Sequence, residues 1–424
     1  MNKPVEVTCP AGTVVGTAVG STAYFHSIEY SQIKAPFDDA EPAEQGLLID
    51  ATSPRPDAIA LSIIAPTGAK DSDDLPVLVH IHGGRFEMGD HTDEASPGEA
   101  LAENGVILVR IGYRLKLPGL ARFHDDEPNH VRAVDDVALG LEWVQRNIEF
   151  FGGDPTNVTL SGQSAGAAIV LWLMRKDHYR GAFRRALAMS PAFPRLGYHQ
   201  RKGIIRAGAG IPLTRTSLNN AEPKTIERAY RTVRTRYFTD VALGPGPLEP
   251  EEMADVDLVI TSLTEEMHAS GAKQDKLKMA RFTMILPGFI MGLKPSQYVP
   301  FFKRLKARDP RRISGEFLSA NLIRRWVDDV AEGAPGTVWQ AELISDAIAP
   351  AEHCADLAPI FGAAPYRGGE GLNGCLIRYI TTGDPGWEPY GTERKVLRVD
   401  LSGNRAQIVT DPLGYLRGVF SKKY

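Results

Sequence analysis

The sequence predicts an α/β fold, with a mostly parallel central sheet and helices on both of its faces. Short, nearly continuous apolar runs such as Leu75–His80 and Val106–Ile111 are typical of strands that are buried on both faces. Segments with helical periodicity stand between such runs, and the clearest is Arg132–Ile148, whose apolar residues recur every three to four positions. Strands that alternate with helices in this way favour right-handed parallel crossovers.

Composition and charge narrow the class of protein. The chain has 424 residues, of which 43% are hydrophobic and 24% charged, as expected of a globular protein with a large core. A net charge of −4 gives no reason to expect a nucleic acid or an anionic membrane as partner, so we expect a small-molecule substrate. No apolar signal segment and no run of about 18 apolar residues occurs, which predicts a cytoplasmic protein that does not span a membrane.

The cysteines favour a reduced environment. Cys9, Cys354 and Cys375 are odd in number and far apart, which indicates free thiols rather than a disulfide framework. No pair of Cys or His residues has the spacing of metal ligands. We therefore expect neither a metal ion nor another cofactor.

The first part of the chain predicts an antiparallel sheet edge followed by a βαβ unit. Leu75–His80 runs into Gly83-Gly84, and glycines directly after a buried strand free the backbone for close approach by a ligand, although a simple turn is the alternative. An amphipathic segment and the second buried strand complete the unit. The antiparallel strands are expected at Val14–Val19, Tyr24–His26 and Ile59–Ala65, and the amphipathic segment at Pro97–Asn104.

The stretch Val158–Gly166, VTLSGQSAG, contains a G-x-S-x-G pattern. Such a pattern needs small residues on both sides of the serine, because the turn from strand to helix leaves no room for a Cβ, and Gly162 and Gly166 meet this need. Ala165–Lys176 is rich in helix formers, so Ser164 is expected at a helix N-terminus. The pattern indicates a nucleophile, with a plain loop as the alternative.

The rest of the chain predicts three more strands and two excursions. We expect a single domain over residues 1–424, in which residues 197–255 are polar and residues 268–335 are mainly helical. The expected strands are Arg184–Met189, Asp257–Thr261 and Thr337–Ile344, and the expected helices include Lys224–Tyr237, Phe282–Leu293 and Ser319–Gly333. A short hairpin is expected around Gly403.

Three reactive side chains follow predicted strands. Ser164, Glu266 and His353 all lie where ligands bind in parallel sheets, at the carboxyl ends of the strands. Their order along the chain, serine then acid then histidine, is that of α/β-hydrolases. Glu265 is the alternative to Glu266 as the acid that faces His353. Only one of the two can do so, because adjacent side chains point in different directions.

The sequence resembles the type-B carboxylesterase family, which includes the para-nitrobenzyl esterases and the cholinesterases. Three stretches carry the resemblance, and it extends over nearly the whole chain. They are VLVHIHGGRFEMGD, LGLEWVQRNIEFFGGDPTNVTLSGQSAG and TGDPGWEPY.

The resemblance assigns roles to individual residues. Ser164 matches the nucleophile of the family's G-E-S-A-G, with Gln163 in place of the glutamate. Glu266 matches the acid of K-D-E-G, and His353 matches the histidine of H-G-x-[DE]-L-x-x-x-F. The backbone N–H groups that match the family's oxyanion hole belong to Gly84, Arg85 and Ala165.

The sequence also departs from the family. Met267 replaces a glycine after the acid, so the turn there is expected to differ, and Ala58 stands where secreted members have a disulfide cysteine. Arg85 occupies a position that is usually Gly or Ala; its backbone is expected to serve the oxyanion, with the side chain either pointing away or reaching the pocket mouth. The chain is shorter than typical members, which implies a reduced helical cap.

The resemblance implies a carboxylic ester hydrolase that acts on small to medium esters through an acyl-enzyme on Ser164. The alternatives are a lactonase, thioesterase or lipase-like hydrolase on the same fold, or a non-catalytic binding protein such as the family's adhesion-type members. Phe86, Met189 and Phe282–Leu293 are candidates for the substrate pocket, with core packing as the alternative. His82 is expected to organise the loop after its strand.

Overall fold

The computed structural model describes residues 3–283 and 285–421. The strands are β1 (Lys3–Cys9), β2 (Gly12–Val19), β3 (Thr22–Ile28), β4 (Ser31–Gln32), β5 (Glu41–Pro42), β6 (Leu47–Asp50), β7 (Leu61–Pro66), β8 (Leu75–Ile81), β9 (Ile107–Ile111), β10 (Gly153–Gln163), β11 (Arg185–Met189), β12 (Asp257–Leu263), β13 (Val338–Ile344), β14 (Lys395–Asp400) and β15 (Ala406–Thr410). The helices are α1 (Glu99–Glu103), α2 (Lys116–Leu120), α3 (Arg132–Asn147), α4 (Ala165–Leu173), α5 (Tyr198–Ala209), α6 (Arg215–Asn219), α7 (Pro223–Arg236), α8 (His268–Lys276), α9 (Ala280–Thr283), α10 (Ile285–Ile290), α11 (Tyr298–Arg308), α12 (Ile313–Ser319), α13 (Arg325–Gly333), α14 (Leu357–Ile360) and α15 (Gly371–Thr382).

One large sheet organises the described residues. Its order is β1-β2-β3-β7-β9-β8-β10-β11-β12-β13-β14-β15, with β6 paired to β2. The strands from β9 to β14 are all parallel, whereas β1, β2, β3 and β7 at one edge and β15 at the other pair antiparallel. The predicted mostly parallel sheet with an antiparallel amino-terminal edge is therefore confirmed.

The strand order places a crevice at the end of β8. The chain passes from β8 to β9 on one side and then returns to β10 on the other side, which makes this position a topological switch point. Gly162 of β10 pairs with Ile81 of β8, so both strands end at the same level. The loops that follow them, with the Gly83-Gly84 pair and Ser164, are brought side by side.

Successive apolar side chains of the central strands alternate between two buried layers, one on each face of the sheet. Val77 and Val79 of β8 and Ile107 of β9 belong to a core cluster that includes α3 and α4. Leu78 and Leu108, which alternate with them along the strands, belong to the cluster on the opposite face, with α1, α14 and α15. Because successive side chains of a strand point to opposite faces, a continuous apolar run needs helices on both.

Two long excursions leave the sheet. The chain forms α5, α6 and α7 between β11 and β12, and α8 to α13 between β12 and β13. A π-helical turn at Ala320–Arg324 joins α12 to α13. In the predicted helix Phe282–Leu293, Met284 lies outside the described residues, and α9 and α10 stand on its two sides. Within the described part of the chain, no helix is both long enough and apolar enough to cross a bilayer.

The helix predicted at Ala165–Lys176 ends earlier than expected, at Leu173. Arg175 leaves the helix and pairs through its Nε with Asp177 Oδ1 at 3.1 Å and through its Nη2 with Glu252 Oε2 at 2.7 Å. These partners come from a turn and from a distant segment, which helix propensity does not detect.

The turn from β10 into α4 has no space for side chains. A Cβ on Gly162 would lie 2.5 Å from the carbonyl carbon of Gly166. A Cβ on Gly166 would lie 2.0 Å from the carbonyl oxygen of Ile81 and 2.6 Å from that of His82. The first turn of α4 therefore packs directly on the backbone of β8.

Gly166→Ala is expected to lower the free energy of unfolding by about 2 kcal/mol or more, because backbone atoms cannot rotate away as a flexible side chain can. Gly203→Ala is the matched control. Gly203 lies in α5 with nothing within 4 Å of its added Cβ, so this change is expected to be neutral or stabilising by about 0.5–1 kcal/mol. Urea unfolding of both variants measures the effect, and equal midpoints would contradict the packing argument.

Candidate active site

Ser164 lies on a strained turn between β10 and α4. Its backbone angles are φ 56° and ψ −112°, a conformation that L-residues rarely adopt. The Ser164 N–H donates to the carbonyl oxygen of Met189 at 2.8 Å, which fixes the turn to the end of β11. The tight glycine contacts and this hydrogen bond hold the side chain at the carboxyl edge of the sheet.

His353 lies within hydrogen-bonding distance of Ser164. Its Nε2 is 2.9 Å from Ser164 Oγ, and its Nδ1 is 2.6 Å from Glu266 Oε2. The His353 N–H also donates to the carbonyl oxygen of Glu266 at 3.1 Å. Three residues that are far apart in sequence thus form one hydrogen-bonded chain.

Both carboxylate oxygens of Glu266 are hydrogen-bonded. Its Oε1 accepts hydrogen bonds from Ser190 Oγ at 2.6 Å and from the Leu263 N–H at 2.8 Å. Its neighbour Glu265 points elsewhere, and its Oε1 accepts from Ser345 Oγ at 2.6 Å. Of the two adjacent acids, the structure brings only Glu266 to the imidazole.

Ser190 was not identified from the sequence. It directly follows β11, is fully buried and has a φ of 48°. Its position after a strand at the same edge was the available signal, but a single serine at a strand end is too common to be selected on that basis.

The charge of Glu266 controls the protonation of His353. Burial alone lowers the pKa of a histidine, but the hydrogen bond and the negative charge of Glu266 outweigh burial here and raise the pKa of His353 above its ordinary value of 6.5. The imidazole is therefore a stronger base than an isolated one.

Asp356 is a second buried acid in this region; it occupies the [DE] position of the motif that contains His353, but the resemblance assigned it no role. It is fully buried, and neither carboxyl oxygen has a hydrogen-bond partner on another described residue. Burial first, and then the charge of Glu266, raises the pKa of Asp356 to about 7, while the charge of His353 opposes this rise. Asp356 is thus an acid that is partly protonated near neutral pH.

The loop after β8 lies against the turn that carries Ser164. A Cβ on Gly83 would lie 2.6 Å from Gln163 Oε1 and 3.3 Å from Ser164 Cβ. Gly84, Arg85 and Phe86 follow with φ angles of 90°, 59° and 62°. Such a run of left-handed residues turns successive amides in directions that a strand or helix does not allow.

The backbone amides expected to form the oxyanion hole are free to bind a ligand. Within the described residues, the N–H groups of Gly84, Arg85 and Ala165 donate to no protein acceptor. Ala165 is the first residue of α4, where the helix dipole also favours negative charge. The site therefore offers unpaired donors on both sides of Ser164.

His82 lies under this loop. Its ring stacks on Tyr113 with centroids 4.4 Å apart, and its Nδ1 is 2.9 Å from the carbonyl oxygen of Gly83. The Tyr113 hydroxyl donates to the carbonyl oxygen of His82 at 3.0 Å. These contacts fix the loop and leave His82 apart from the Ser164–His353–Glu266 chain.

A buried ion-pair network supports the turn that carries Glu266. Arg324, in the π-helical turn, donates to the carbonyl oxygen of Thr264 and pairs with Glu316 at 3.0 Å. The Met267 N–H donates to Ser319 Oγ at 3.0 Å. Met267 has a φ of −123°, which any residue adopts, so this turn does not require the glycine expected there.

The candidate pocket residues lie in packed surroundings. Phe86 is fully buried, with its ring edge-on to Tyr113 at 6.4 Å. Met189 is also fully buried, in the cluster on the α14 and α15 face of the sheet. Phe282, by contrast, is 70% exposed.

One group of side chains has the composition of a cation site. Ligand atoms of Asp39, Asp126 and His130 lie within 4.8 Å of one another. Arg132 Nη2, however, is 2.6 Å from Asp126 Oδ1 and 3.0 Å from Asp39 Oδ1, and Arg215 pairs with the same two acids. Arginines therefore already supply the positive charge that a metal ion would bring.

Comparison with known proteins gives sequence matches over part of the chain. Residues 7–203 match the model of the carboxylesterase family. The chain is 33% identical over 226 residues to a probable N-octanoylanthranilate hydrolase of Rhodococcus erythropolis, covering 47% of this chain and 49% of that relative. It is 41% identical over 135 residues to carboxylesterase 5A of Ovis aries, covering 32% of this chain and 35% of the relative. These matches span about half or less of the curated relatives' length.

Solved esterase structures match almost the whole chain. PNB esterase superposes with a TM-score of 0.76 at 22% identity, covering 97% of this chain and 99% of that one. Juvenile hormone esterase from Manduca sexta gives 0.77 at 19% identity, covering 97% and 98%. At such low identity the likeness establishes the fold, and the α/β-hydrolase architecture is confirmed.

Asp356→Asn is expected to stabilise the protein more at pH 8 than at pH 5. A raised folded-state pKa means that the stability linked to Asp356 is present below its unfolded value, near 3.9, and is lost as pH rises through about 7. Asparagine cannot ionise, so the stability difference between variant and wild type should grow by about 2 kcal/mol between these pH values. Urea unfolding at both pH values measures it, with Asp71→Asn at the surface as control. A difference that is the same at both pH values would contradict the assignment.

Proposed function

We propose that the chain is a serine carboxylic ester hydrolase of the carboxylesterase family, whose model matches residues 7–203, and that it acts on small to medium esters. The observation that carries the proposal is the continuous hydrogen-bonded chain from Ser164 through His353 to Glu266, at 2.9 and 2.6 Å. Unpaired backbone amides beside Ser164 support it, because they can bind the negative charge that develops during acyl transfer.

The first half of the reaction forms an acyl-enzyme. His353 Nε2 accepts the proton of Ser164 Oγ, and the oxygen attacks the ester carbonyl carbon. The amides of Gly84, Arg85 and Ala165 stabilise the resulting oxyanion. The bond to the leaving alcohol then breaks, and His353 gives its proton to that alcohol.

The second half regenerates the enzyme. His353 accepts a proton from a water molecule, which attacks the acyl carbon, and the released Ser164 oxygen regains the proton. Glu266 holds the imidazole with Nδ1 protonated and stabilises the imidazolium in both halves. Glu266 itself is held by Ser190 and by the backbone of Leu263.

We also propose that residues 1–424 form one domain in which the excursions at 197–255 and 268–335 form a cap and pocket. Arg85 Nη2 lies 3.3 Å from the carbonyl oxygen of Asp240, and Phe193 packs on Trp326 with ring centroids 5.5 Å apart. Elements of both excursions thus contact loops at the carboxyl edge of the sheet, which supports this arrangement.

A second candidate activity is the cleavage of an acyl group from an aromatic amine. The relative from Rhodococcus erythropolis is named as a probable hydrolase of N-octanoylanthranilate, an amide. The same acyl-enzyme chemistry serves both bond types. Turnover of N-octanoylanthranilate against 4-nitrophenyl octanoate separates the two activities, since the acyl group is identical. A panel of short and long esters, lactones and thioesters tests for lipase-like, lactonase and thioesterase activity.

Labelling with an organophosphonate is expected to modify Ser164, because an activated serine beside unpaired amides reacts as it does with an ester. Ser164→Ala is expected to lower kcat at least about 10³-fold, which leaves only binding and oxyanion stabilisation. Peptide mapping locates the label, and modification of another serine would reject Ser164 as the nucleophile. Ser161→Ala, a buried neighbour on β10, is the control for a structural effect.

Glu266→Gln is expected to lower kcat/KM by an amount approaching about 10⁴, because the neutral amide no longer stabilises the imidazolium. Glu265→Gln is the matched control and is expected to remain within about tenfold of wild type. Both are measured with 4-nitrophenyl acetate, and the opposite ranking would move the acid to Glu265.

The dependence of kcat/KM on pH gives a second test of the interaction between Glu266 and His353. Neutral His353 is the active form, so kcat/KM falls as pH drops through its pKa, which lies above 6.5. Loss of the Glu266 charge removes the main influence that raises this pKa, with the charge of Asp356 remaining. The acid limb is therefore expected to move to lower pH in Glu266→Gln and to stay in place in Glu265→Gln.

A further inference from the structure

A positive side chain lies on the loop that carries the unpaired amides. Arg85 is one of three consecutive left-handed residues there, and its side chain is 47% exposed. Its positive charge acts on the His353 imidazole and opposes the rise of that pKa. The guanidinium is therefore within electrostatic reach of the reacting groups.

The acids near Arg85 are already paired with other arginines. Glu87 Oε1 is 3.9 Å from Arg85 Nε, whereas Glu87 Oε2 is 2.8 Å from Arg234 Nε. Asp240 pairs through its carboxylate with Arg201. From Arg85, Asp240 accepts only one hydrogen bond: Arg85 Nη2 donates to the backbone carbonyl oxygen of Asp240 at 3.3 Å.

The positive and negative charges around Arg85 do not cancel. Two carboxylates, Glu87 and Asp240, face three guanidinium groups, those of Arg85, Arg201 and Arg234, and the two closer pairs leave out Arg85. A half-exposed guanidinium with donors left over is suited to a carboxylate, which it can bind with two parallel hydrogen bonds.

From these contacts we infer that Arg85 selects substrates that carry a carboxylate, so that the preferred substrates are anionic esters. This inference rests on the proposed ester hydrolysis and adds the chemical class of the substrate. The backbone of Arg85 serves the oxyanion, and its side chain binds the second, permanent negative charge of the substrate. Two groups of one residue thus fix the ester carbonyl and the distant carboxylate at the same time.

Two matched substrate pairs test the inference. In the first, 4-nitrophenyl hexanoate is compared with mono-4-nitrophenyl adipate, which replaces the terminal methyl group of the acyl chain by a carboxylate. In the second, the hexanoate esters of 4-hydroxybenzamide and 4-hydroxybenzoate place the charge on the leaving group. The pair that responds shows on which side of the scissile bond the carboxylate binds.

The measured quantity is the ratio of kcat/KM for the anionic ester to that for the neutral ester. We expect Arg85→Ala to lower this ratio about fivefold or more in one pair, as expected for the loss of a partly exposed charge-assisted contact; a change that affects both esters of a pair equally cancels in the ratio. Arg85→Lys should retain most of the preference, because it keeps the charge. The preference of the wild type should also weaken between about 20 and 500 mM salt, where screening becomes about fivefold shorter in range.

Arg146→Ala is the control for a general change in net charge. Arg146 lies on α3, its side chain is 51% exposed, and it pairs with one acid, Glu142, at 3.0 Å. It matches Arg85 in exposure and is remote from the loop after β8 in the sequence, so the ratio should equal that of the wild type.

The outcomes separate the inference from the proposed function. If the wild type hydrolyses the neutral esters and Arg85→Ala leaves both ratios unchanged, the inference is wrong and ester hydrolysis stands. An equal fall of the ratio in Arg146→Ala would likewise overturn it, because the effect would then be one of net charge. If the wild type hydrolyses none of the four esters, both the proposed function and the inference fail.

Discussion

The site depends on a contact between two backbones. The first turn of α4 lies so close to the end of β8 that a Cβ on Gly166 would sit 2.0 Å from the carbonyl oxygen of Ile81. This approach forces a sharp turn after β10 and places Ser164 in its strained conformation. The loop after β8 lies so close to this turn that a Cβ on Gly83 would sit 3.3 Å from Ser164 Cβ, so Ser164 and the unpaired amides are held side by side by the same packing.

Electrostatic interactions among buried groups set the basicity of His353, once packing has positioned Ser164. Burial alone would make His353 a weak base, and the carboxylate of Glu266 reverses this. That carboxylate remains in place because Ser190 and the Leu263 amide occupy its second oxygen. Asp356 has no such partners among the described residues, and burial together with the charge of Glu266 raises its pKa to about 7.

The sequence predicted those features that local patterns encode. Buried parallel strands leave apolar runs, and the strand-to-helix turn leaves glycines around Ser164, so both were predicted. Glu266 and His353 were indicated by their positions after predicted strands, and the resemblance to a family assigned their roles. Ser190 has a common residue type and acts on Glu266, which is distant in sequence, so no local pattern reveals it. Asp356 occupies the [DE] position of the motif that contains His353, but its lack of hydrogen-bond partners among the described residues is a result of tertiary packing. The early end of α4 was missed for the same reason, because Arg175 pairs with Glu252 from another segment. The ion-pair network of Glu316 and Arg324 is likewise an outcome of tertiary packing.

The central claim is that Ser164, His353 and Glu266 act as one catalytic unit. A double-mutant cycle tests it most directly, with kcat/KM of Ser164→Ala, His353→Ala and the double variant measured on one 4-nitrophenyl ester. Groups that act in the same step are strongly non-additive, so the double variant should lose no more activity than the more damaging single change. Losses that multiply, with the double variant slower by the product of the two single effects, would show that the residues act independently and would contradict the account.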